Sequence, residues 1–475
     1  MTDIGCGLDS FGLQNKFQRP FHHLSLLSIL MATLASCGST VQNPTPWVEA
    51  SDYQNFADCI TSEETEGRTI LVDAAMYIET DITVPRNRDL FFVNGGMLSI
   101  AEGKVLRIEG TVTAALFQIF SGNGAVRFGG GNVANLYPQW WGATGDGLHD
   151  DTAAIQNAID ARYSTDVDQQ GFTTVAFPSG AYYCSSTILV SKDRTHLVGN
   201  GNFSTRIYFA PSAEDVLFEF AKPVPEPGNF TSLYSCSISD MAIIGIGEYS
   251  KTAIRLVNTS DTRIENISIS SWTGSGSIGI LMHGRELTFI DGATIFADRP
   301  IQIDKNLSNG PEGFIDSDHL HMEDLYLGAT PTLSDGKCIE IMPGVDLTNF
   351  VLDGTNSFVM AKYGLYWDDT ETVGSSNNMS ISNVRMEQST SAYGYVFYLS
   401  HNYVMQNIYL ENVFTDMNGF YFRKCNHVTL QNCVVATAPP ADGYFSVNAD
   451  DSCRNIEVRN SLFVDGLTQV PEPLP

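Results

Sequence analysis

Three carboxylates close short, similar segments in the second half of the chain. The segments are Asn349-Phe-Val-Leu-Asp353, Asn383-Val-Arg-Met-Glu387 and Asn407-Ile-Tyr-Leu-Glu411. In an extended chain, alternate side chains point to opposite faces. Phe350, Leu352, Val384, Met386, Ile408 and Leu410 would then face a core. Asp353, Glu387 and Glu411 would face outward in one column, beside a second column of Tyr326, Val351, Arg385 and Tyr409. Stacked strands would space those carboxylates at about 5 or about 10 Å. Glycosidic bonds are cleaved by carboxyl pairs about 5–5.5 Å apart with retention, or about 6.5–9.5 Å apart with inversion. Close carboxylates also raise one another's pKa, so one stays protonated as an acid while the other is a base.

The surrounding residue types suit a sugar ligand. Arg385 can orient a carboxylate or an acidic sugar, and Tyr409 and Tyr326 offer rings for stacking. Asp368 and Asp369 follow Trp367 in what reads as an inserted loop, able to wall a cleft and contact substrate. Two other chemistries use the same residues. A lyase would need a cation against a uronate and a base, with Arg385 the base candidate and calcium held by the acidic columns. A non-catalytic, carbohydrate-binding surface would need only the outward polar rows that any solvated sheet carries. His319, His321 and Glu323 alternate but have no third ligand at convincing spacing, so no metal site is expected and no cofactor outside the lyase reading.

Columns of this kind need stacked coils. The polar leaders Asp240, Asn266, Asp324, Asn349, Asn383, Asn407, Asn432 and Asn460 each precede a short alternating run, mostly about 25 residues apart, which is a repeat period. The Asn266–Asp324 interval is roughly double and predicts a further coil near Asp291. The Asn349–Asn383 interval is longer by about nine residues and predicts an inserted loop. Alternation with period two marks strands, and recurring asparagines suit a ladder of side-chain amides at one corner. The class is therefore all-β, a single-stranded parallel β-helix.

Earlier strands, Thr69-Ile-Leu-Val, Leu90-Phe-Phe-Val and Val105-Leu-Arg-Ile, suggest an N-terminal β region. One helix is expected over Thr152–Ala161, capped by Asp150 or Asp151, with Ala154, Ile155, Ala158 and Ile159 on one face. Lys16 and Arg19 precede an apolar run from Leu24 to Ala35 that ends in Leu-Ala-Ser-Cys37. That string resembles the bacterial lipobox, which implies export, lipidation at Cys37 and anchoring at the cell surface or outer membrane; the alternative is an ordinary secretory signal and a secreted or periplasmic protein. The resulting division is 1–37 signal, 38–67 tether and N-terminal cap, 68–135 N-terminal β region and 136–470 β-helix. The net charge of −28 argues against nucleic acid as a partner. The cysteines beyond Cys37 show no metal spacing and read for the most part as buried core residues, with a disulfide among Cys425, Cys433 and Cys453 left open.

A family resemblance enters at the helix. Tyr137-Pro-Gln-Trp-Trp-Gly-Ala-Thr-Gly-Asp-Gly147, then Asp150-Asp-Thr-Ala-Ala-Ile-Gln156, Val175-Ala-Phe-Pro-Ser-Gly-Ala-Tyr182 and His196-Leu-Val-Gly-Asn-Gly201 follow in order. They resemble the opening of the pectate lyase superfamily domain, seen also in rhamnogalacturonase/epimerase-like proteins and phage tailspikes. The resemblance implies a right-handed, pectin-lyase-like β-helix, a polysaccharide partner and, by the tailspike likeness, room for a homotrimer. It does not select a reaction. The Arg385-Met-Glu387 ending resembles that of family members, which ranks Glu387 first. Polygalacturonase strings such as Asn-Thr-Asp, Gly-His-Gly and Arg-Ile-Lys are absent. The leading expectation is an exported glycoside hydrolase, ahead of a lyase and an adhesive β-helix.

Overall fold

A computed structural model describes residues 47–129, 133–161, 173–210, 216–222, 232–247, 252–305, 317–329, 335–369, 376–387, 394–416, 419–436, 446–463 and 468–469. The export segment and Cys37 lie outside them.

The chain winds into coils of short parallel strands. Residues 69–128 make a first stack with three ladders, each built from one strand per coil. Thr69–Val72 pairs with Asp89–Phe92 and that with Val112–Thr113; Ala75–Ile78, Met97–Ile100 and Phe120–Ser121 form the second ladder; Ile82–Val84, Val105–Ile108 and Ala125–Phe128 the third. Inward residues such as Ile70, Val84, Leu98 and Leu106 are fully buried. A short helix α1 (Phe56–Thr61), capped by Asn55 accepting from the Asp58 amide, sits at the start of this stack. It is a second helix beyond the one expected. Its sequence is too short to show a helical period.

Helix α2 (Thr152–Asp160) follows, with Ala154, Ile155, Ala158 and Ile159 buried as expected. The Pro138–Trp141 turn leads into it. Trp140 is buried in the first core, and Trp141 packs against both cores.

The main stack runs from residue 135 to 469 in one sheet system of parallel ladders. Three ladders are named here by one coil each: ladder A by Leu347–Asp353, ladder B by Asn356–Val359 and ladder C by Tyr363–Asp368. Every coil threads C, A and B in turn, and the inward residues of successive coils build one continuous core. This is the single-stranded right-handed parallel β-helix. Its stability scales with coil number, because each coil buries its apolar side chains on its neighbours.

Two corners bend the chain at left-handed residues, and the sequence pattern had merged them. Early in the strands of ladder A stand Asp261, Leu287, His319, Asn349, Asn378, Asn407, His427 and Asn455, with φ between 50 and 64°. Between A and B stand Asp240, Asn266, Gly292, Asp324, Gly354, Asn383, Asn412, Asn432 and Asn460, all at positive φ. The coil expected near Asp291 is there, cornered by Gly292. The loop expected between Asn349 and Asn383 is not an insertion. Asn349 aligns with Asn378, and Gly354 holds the place before Asn383. Asparagine recurs at both corners, because it tolerates αL and its amide reaches the next coil. Asn378 donates to Asn349 (3.2 Å) and Asn407 to Asn378 (3.1 Å); on the second corner Asn412 donates to Asn383 (3.0 Å) and Asn432 to Asn412 (3.2 Å).

Asn412→Ala should cost about 1–2 kcal/mol, since it strains an αL residue and breaks two amide links. Asn412→Gly, which keeps the backbone permissive, should cost less. Urea unfolding of both variants checks the order; a neutral Asn412→Ala would show that the ladder carries no stability.

Candidate functional site

The two corners redistribute the carboxylates read from sequence. Asp353 aligns with Ser382, and Ser382 with Glu411, on ladder A. Asp353 and Glu411 are thus two coils apart, about 10 Å along the axis. Glu387 is not in that column. It lies on ladder B, aligned with Val359, past the Asn383 bend. The expected three-member column therefore does not exist, because Asn383 belongs to a different corner from Asn349 and Asn407. The second column divides the same way. Tyr326, Ser357, Arg385 and Phe414 share ladder B, whereas Val351, Ser380 and Tyr409 share ladder A.

Local contacts engage these groups. The Ser382 hydroxyl and the Gly354 amide donate to Asp353 and hold its carboxyl below the usual range. Glu411 accepts from Gln431 at 3.0 Å. Arg385 pairs with Glu387 and lies 5.4 Å from the Phe414 ring centroid. Tyr326 packs on Phe296, its centroid 5.5 Å away.

A denser constellation occupies the outer face of ladder C. One column runs Glu219, Arg255, Leu281, Gln302, Glu340, Tyr366, Tyr398, Tyr421 and Asn448. Tyr366 stacks on Tyr398 at 4.9 Å and 14°, and Tyr398 on Tyr421 at 4.5 Å and 7°. Tyr363 and Tyr395 flank this stack at 4.7 and 5.4 Å from Tyr366 and Tyr421. Coil spacing imposes the geometry, since like residues in register lie about 4.8 Å apart. The rings spend their faces on one another, which leaves edges and hydroxyls for a ligand. Lys337 covers the end of the stack, 4.1 Å from the Tyr366 centroid.

Charged groups surround the stack. Glu340 is held by Lys337 at 2.6 Å and by Arg299 at 2.8 Å, and Arg299 also pairs with Asp298 at 2.7 Å. Asp368 accepts from the Tyr366 hydroxyl at 3.3 Å. Burial first, then the Asp368 carboxylate, push both the Tyr366 and Tyr398 hydroxyls well above the ordinary range. Both rings therefore stay protonated donors across the physiological range. Arg423 and Asp450 continue the face 3.9 Å apart. Asp304 and Asp368 each follow an aligned inward residue, Ile303 and Trp367, with Ile341 in the coil between. They are two coils apart with Met342 between them.

Asp368 thus ends a ladder strand and does not sit in an inserted loop. Asp369 turns the other way. It is 1% exposed, accepts from the Gly344 amide at 3.1 Å and lies 3.6 Å from His401, so it is part of the interior and not a surface contact. Sequence reasoning missed the ladder C face. The repeated Tyr363-x-x-Tyr366 and Tyr395-x-x-Tyr398 spacing carried the signal.

The aspartates near helix α2 are structural. Asp151 accepts from the Thr144 and Gly145 amides at 2.7 and 3.1 Å, and Asp150 accepts from Thr152 and Ser185. Asp146 accepts from the Leu148 and His149 amides and pairs with the His149 ring at 2.7 Å. Among the described residues no group of three or more His, Cys, Asp or Glu is placed to hold a metal ion. All seven described cysteines are buried thiols.

Coil geometry, corner chemistry and an outward polar face define a single-stranded right-handed parallel β-helix. Residues 140–299 match the family model for rhamnogalacturonase A/epimerase, pectate lyase-like proteins. A stretch of 73 residues is 44% identical to the mannuronan C5-epimerase AlgE2 of Azotobacter vinelandii, covering 14% of this chain and 7% of that one. Among solved structures, ORF18 of Geobacillus virus E2 is similar over 69% of this chain and 60% of its own, at 16% identity and a TM-score of 0.36. The family 28 exopolygalacturonase of Yersinia enterocolitica is similar over 72% of this chain and 77% of its own, at 11% identity and a TM-score of 0.38.

His401 packs fully buried against Trp367, ring centroids 4.2 Å apart, and burial lowers its pKa from 6.5 to about 3. The neutral ring therefore favours the folded state fully above pH 6.5, and that contribution drains away as the pH falls toward 3. Thermal unfolding between pH 7 and 4 should show a shallower fall for His401→Gln than for the parent chain. Equal slopes would remove His401 as a source of acid lability.

Proposed function

We propose that this chain is an exported enzyme that hydrolyses glycosidic bonds in an extended polysaccharide lying along ladder C. One observation carries the reading: stacked tyrosines, carboxylates and cations converge on a single outer face. Tyr366, Tyr398 and Tyr421 present hydroxyls at coil spacing, a repeat suited to a repeating ligand. Asp304 and Asp368 serve as the acid/base pair. Their spacing of two coils, about 10 Å, is near the upper end of the inverting range once side chains lean together. Asp368 is the base candidate, since its carboxylate accepts the Tyr366 hydroxyl, which leaves the acid role to Asp304. Arg299, Lys337 and Arg423 suit a substrate carrying uronates. The likeness to an enzyme named for mannuronan supports the same substrate class.

The raised tyrosine hydroxyls disfavour a tyrosinate base, and so place a lyase second. Binding without turnover is a further reading, favoured by the engagement of Glu340 in two ion pairs. Glu387 with Arg385, and the Asp353/Glu411 pair, stand as alternative acid/base sets. Lipid attachment at Cys37 would keep the enzyme at the cell surface, where such substrates lie.

Uronate-bearing and neutral polysaccharides should be screened with reducing-end and ultraviolet readouts. New reducing ends without an ultraviolet-absorbing unsaturated product mark hydrolysis. Asp368→Asn should lower kcat by about 100-fold or more, and Tyr398→Ala should chiefly raise KM. Glu387→Gln and Asp353→Asn should leave turnover within about twofold. Loss of turnover in Glu387→Gln but not in Asp368→Asn would move the chemistry to ladder B.

A further inference from the structure

A ligand-sized depression lies on the first stack, remote in sequence from every residue of the ladder C face. It is a groove of about 610 Å³ between the residues around helix α1 and the strand Ala75–Ile78, lined by Tyr53, Asn55, Asp58, Tyr77, Glu79 and Thr80 among others. That volume falls within the usual range for small-ligand sites.

Its chemistry differs from that of ladder C in two ways. Tyr77 is 75% exposed, and on its face of the strand it has Ala75 two residues before it and Ser99 aligned with it in the next coil. Ser99 aligns in turn with Ser121. Among the described residues no ring in register covers it, so its face is open, whereas Tyr366, Tyr398 and Tyr421 cover one another. An open aromatic face is what the C–H surface of a pyranose packs on. The second difference is charge. The lining holds Asp58 and Glu79 and no lysine or arginine. Carboxylates accept hydrogen bonds from hydroxyls and amides both accept and donate them, but an acidic wall without cations repels a uronate. Several of the polar groups are fixed in place. Asn55 donates to Asp58 at 2.9 Å, and the Tyr53 hydroxyl donates to Glu64 at 3.3 Å.

We propose that this groove is a glycan-binding site selective for uncharged sugars, with Tyr77 as its stacking platform. The proposal rests on the polysaccharide reading of the chain and extends it. Ladder C takes the charged stretch of the polymer, and the N-terminal groove takes a neutral stretch or side chain. Holding the polymer at two places would raise the effective concentration of substrate at the first face.

The test uses the full chain and defined probes. Xylohexaose, cellohexaose and mannohexaose are titrated by calorimetry into the parent protein, Tyr77→Ala, Glu79→Gln and Tyr398→Ala. Tyr77 is exposed, so Tyr77→Ala should leave the unfolding temperature unchanged. At least one neutral hexaose should bind the parent, weaken tenfold or more in Tyr77→Ala, and bind Tyr398→Ala as it binds the parent. Polygalacturonate hexamers should show no Tyr77-dependent binding. Unchanged neutral-sugar affinity in Tyr77→Ala, or no neutral hexaose bound by the parent, would overturn the groove while leaving turnover at ladder C intact. Loss of turnover dependence on Asp368 and Tyr398 with the Tyr77 effect preserved would overturn the ladder C reading instead.

Discussion

In-register stacking of parallel coils is the constraint from which the rest of this molecule follows. Each inward side chain must fit the ones above and below it, and each outward side chain meets its counterparts at about 4.8 Å. Ile339, Leu365 and Phe397 show the first consequence, as successive fully buried members of one inward column. Tyr366, Tyr398 and Tyr421 show the second, as an outward column whose rings have no choice but to stack. A β-helix therefore converts a weak sequence repeat into rows of identical contacts, and surface function is written as columns.

The corners decide which residues share a column. A turn into αL costs most side chains roughly 1–2 kcal/mol, less for asparagine and aspartate, and least for glycine. That explains why Asp240, Asn266, Gly292, Asp324, Gly354 and Asn383 succeed one another at one place in the coil. It also explains why the sequence misled. The strands, their alternation, helix α2 and the coil near Asp291 were legible, because polar-apolar periodicity and capping residues report them directly. The assignment of Glu387 to the column of Asp353 and Glu411 was not. Two corners use the same amino acid for the same backbone reason, and the glycine at 354 erased the mark that would have separated them. Local chemistry was readable; register was not, since it depends on which of two identical signals opens each coil.

The ladder C face escaped notice for a related reason. Its strands have no asparagine leader. Their outward tyrosines alternate with buried residues of similar size, such as Leu365, Trp367 and Phe397. Aromatics in such a run read as core until the coil is closed. Asp369 shows the converse. It looked like a second acidic surface residue beside Asp368, yet the chain reverses face between them, and Asp369 lies inside with His401.

The two faces together suggest how an acidic protein can handle a charged polymer. With a net charge of −28, long-range attraction for a polyanion is absent, and any grip must be local. Arg299, Lys337 and Arg423 supply cations on ladder C, but each is already partnered by a carboxylate. A uronate would have to compete for them. That competition favours binding in which a carboxylate of the substrate replaces a carboxylate of the protein, and it penalises non-specific adsorption of polyanions. The open ring of Tyr77 needs no such exchange. On the proposed reading, a neutral segment docks there by shape and hydrogen bonding alone, and so raises the effective concentration of the charged segment at a face that would otherwise repel it. On this view the acidity of the surface is part of the selectivity: it admits a polymer that offers both kinds of segment and turns away one that offers only charge.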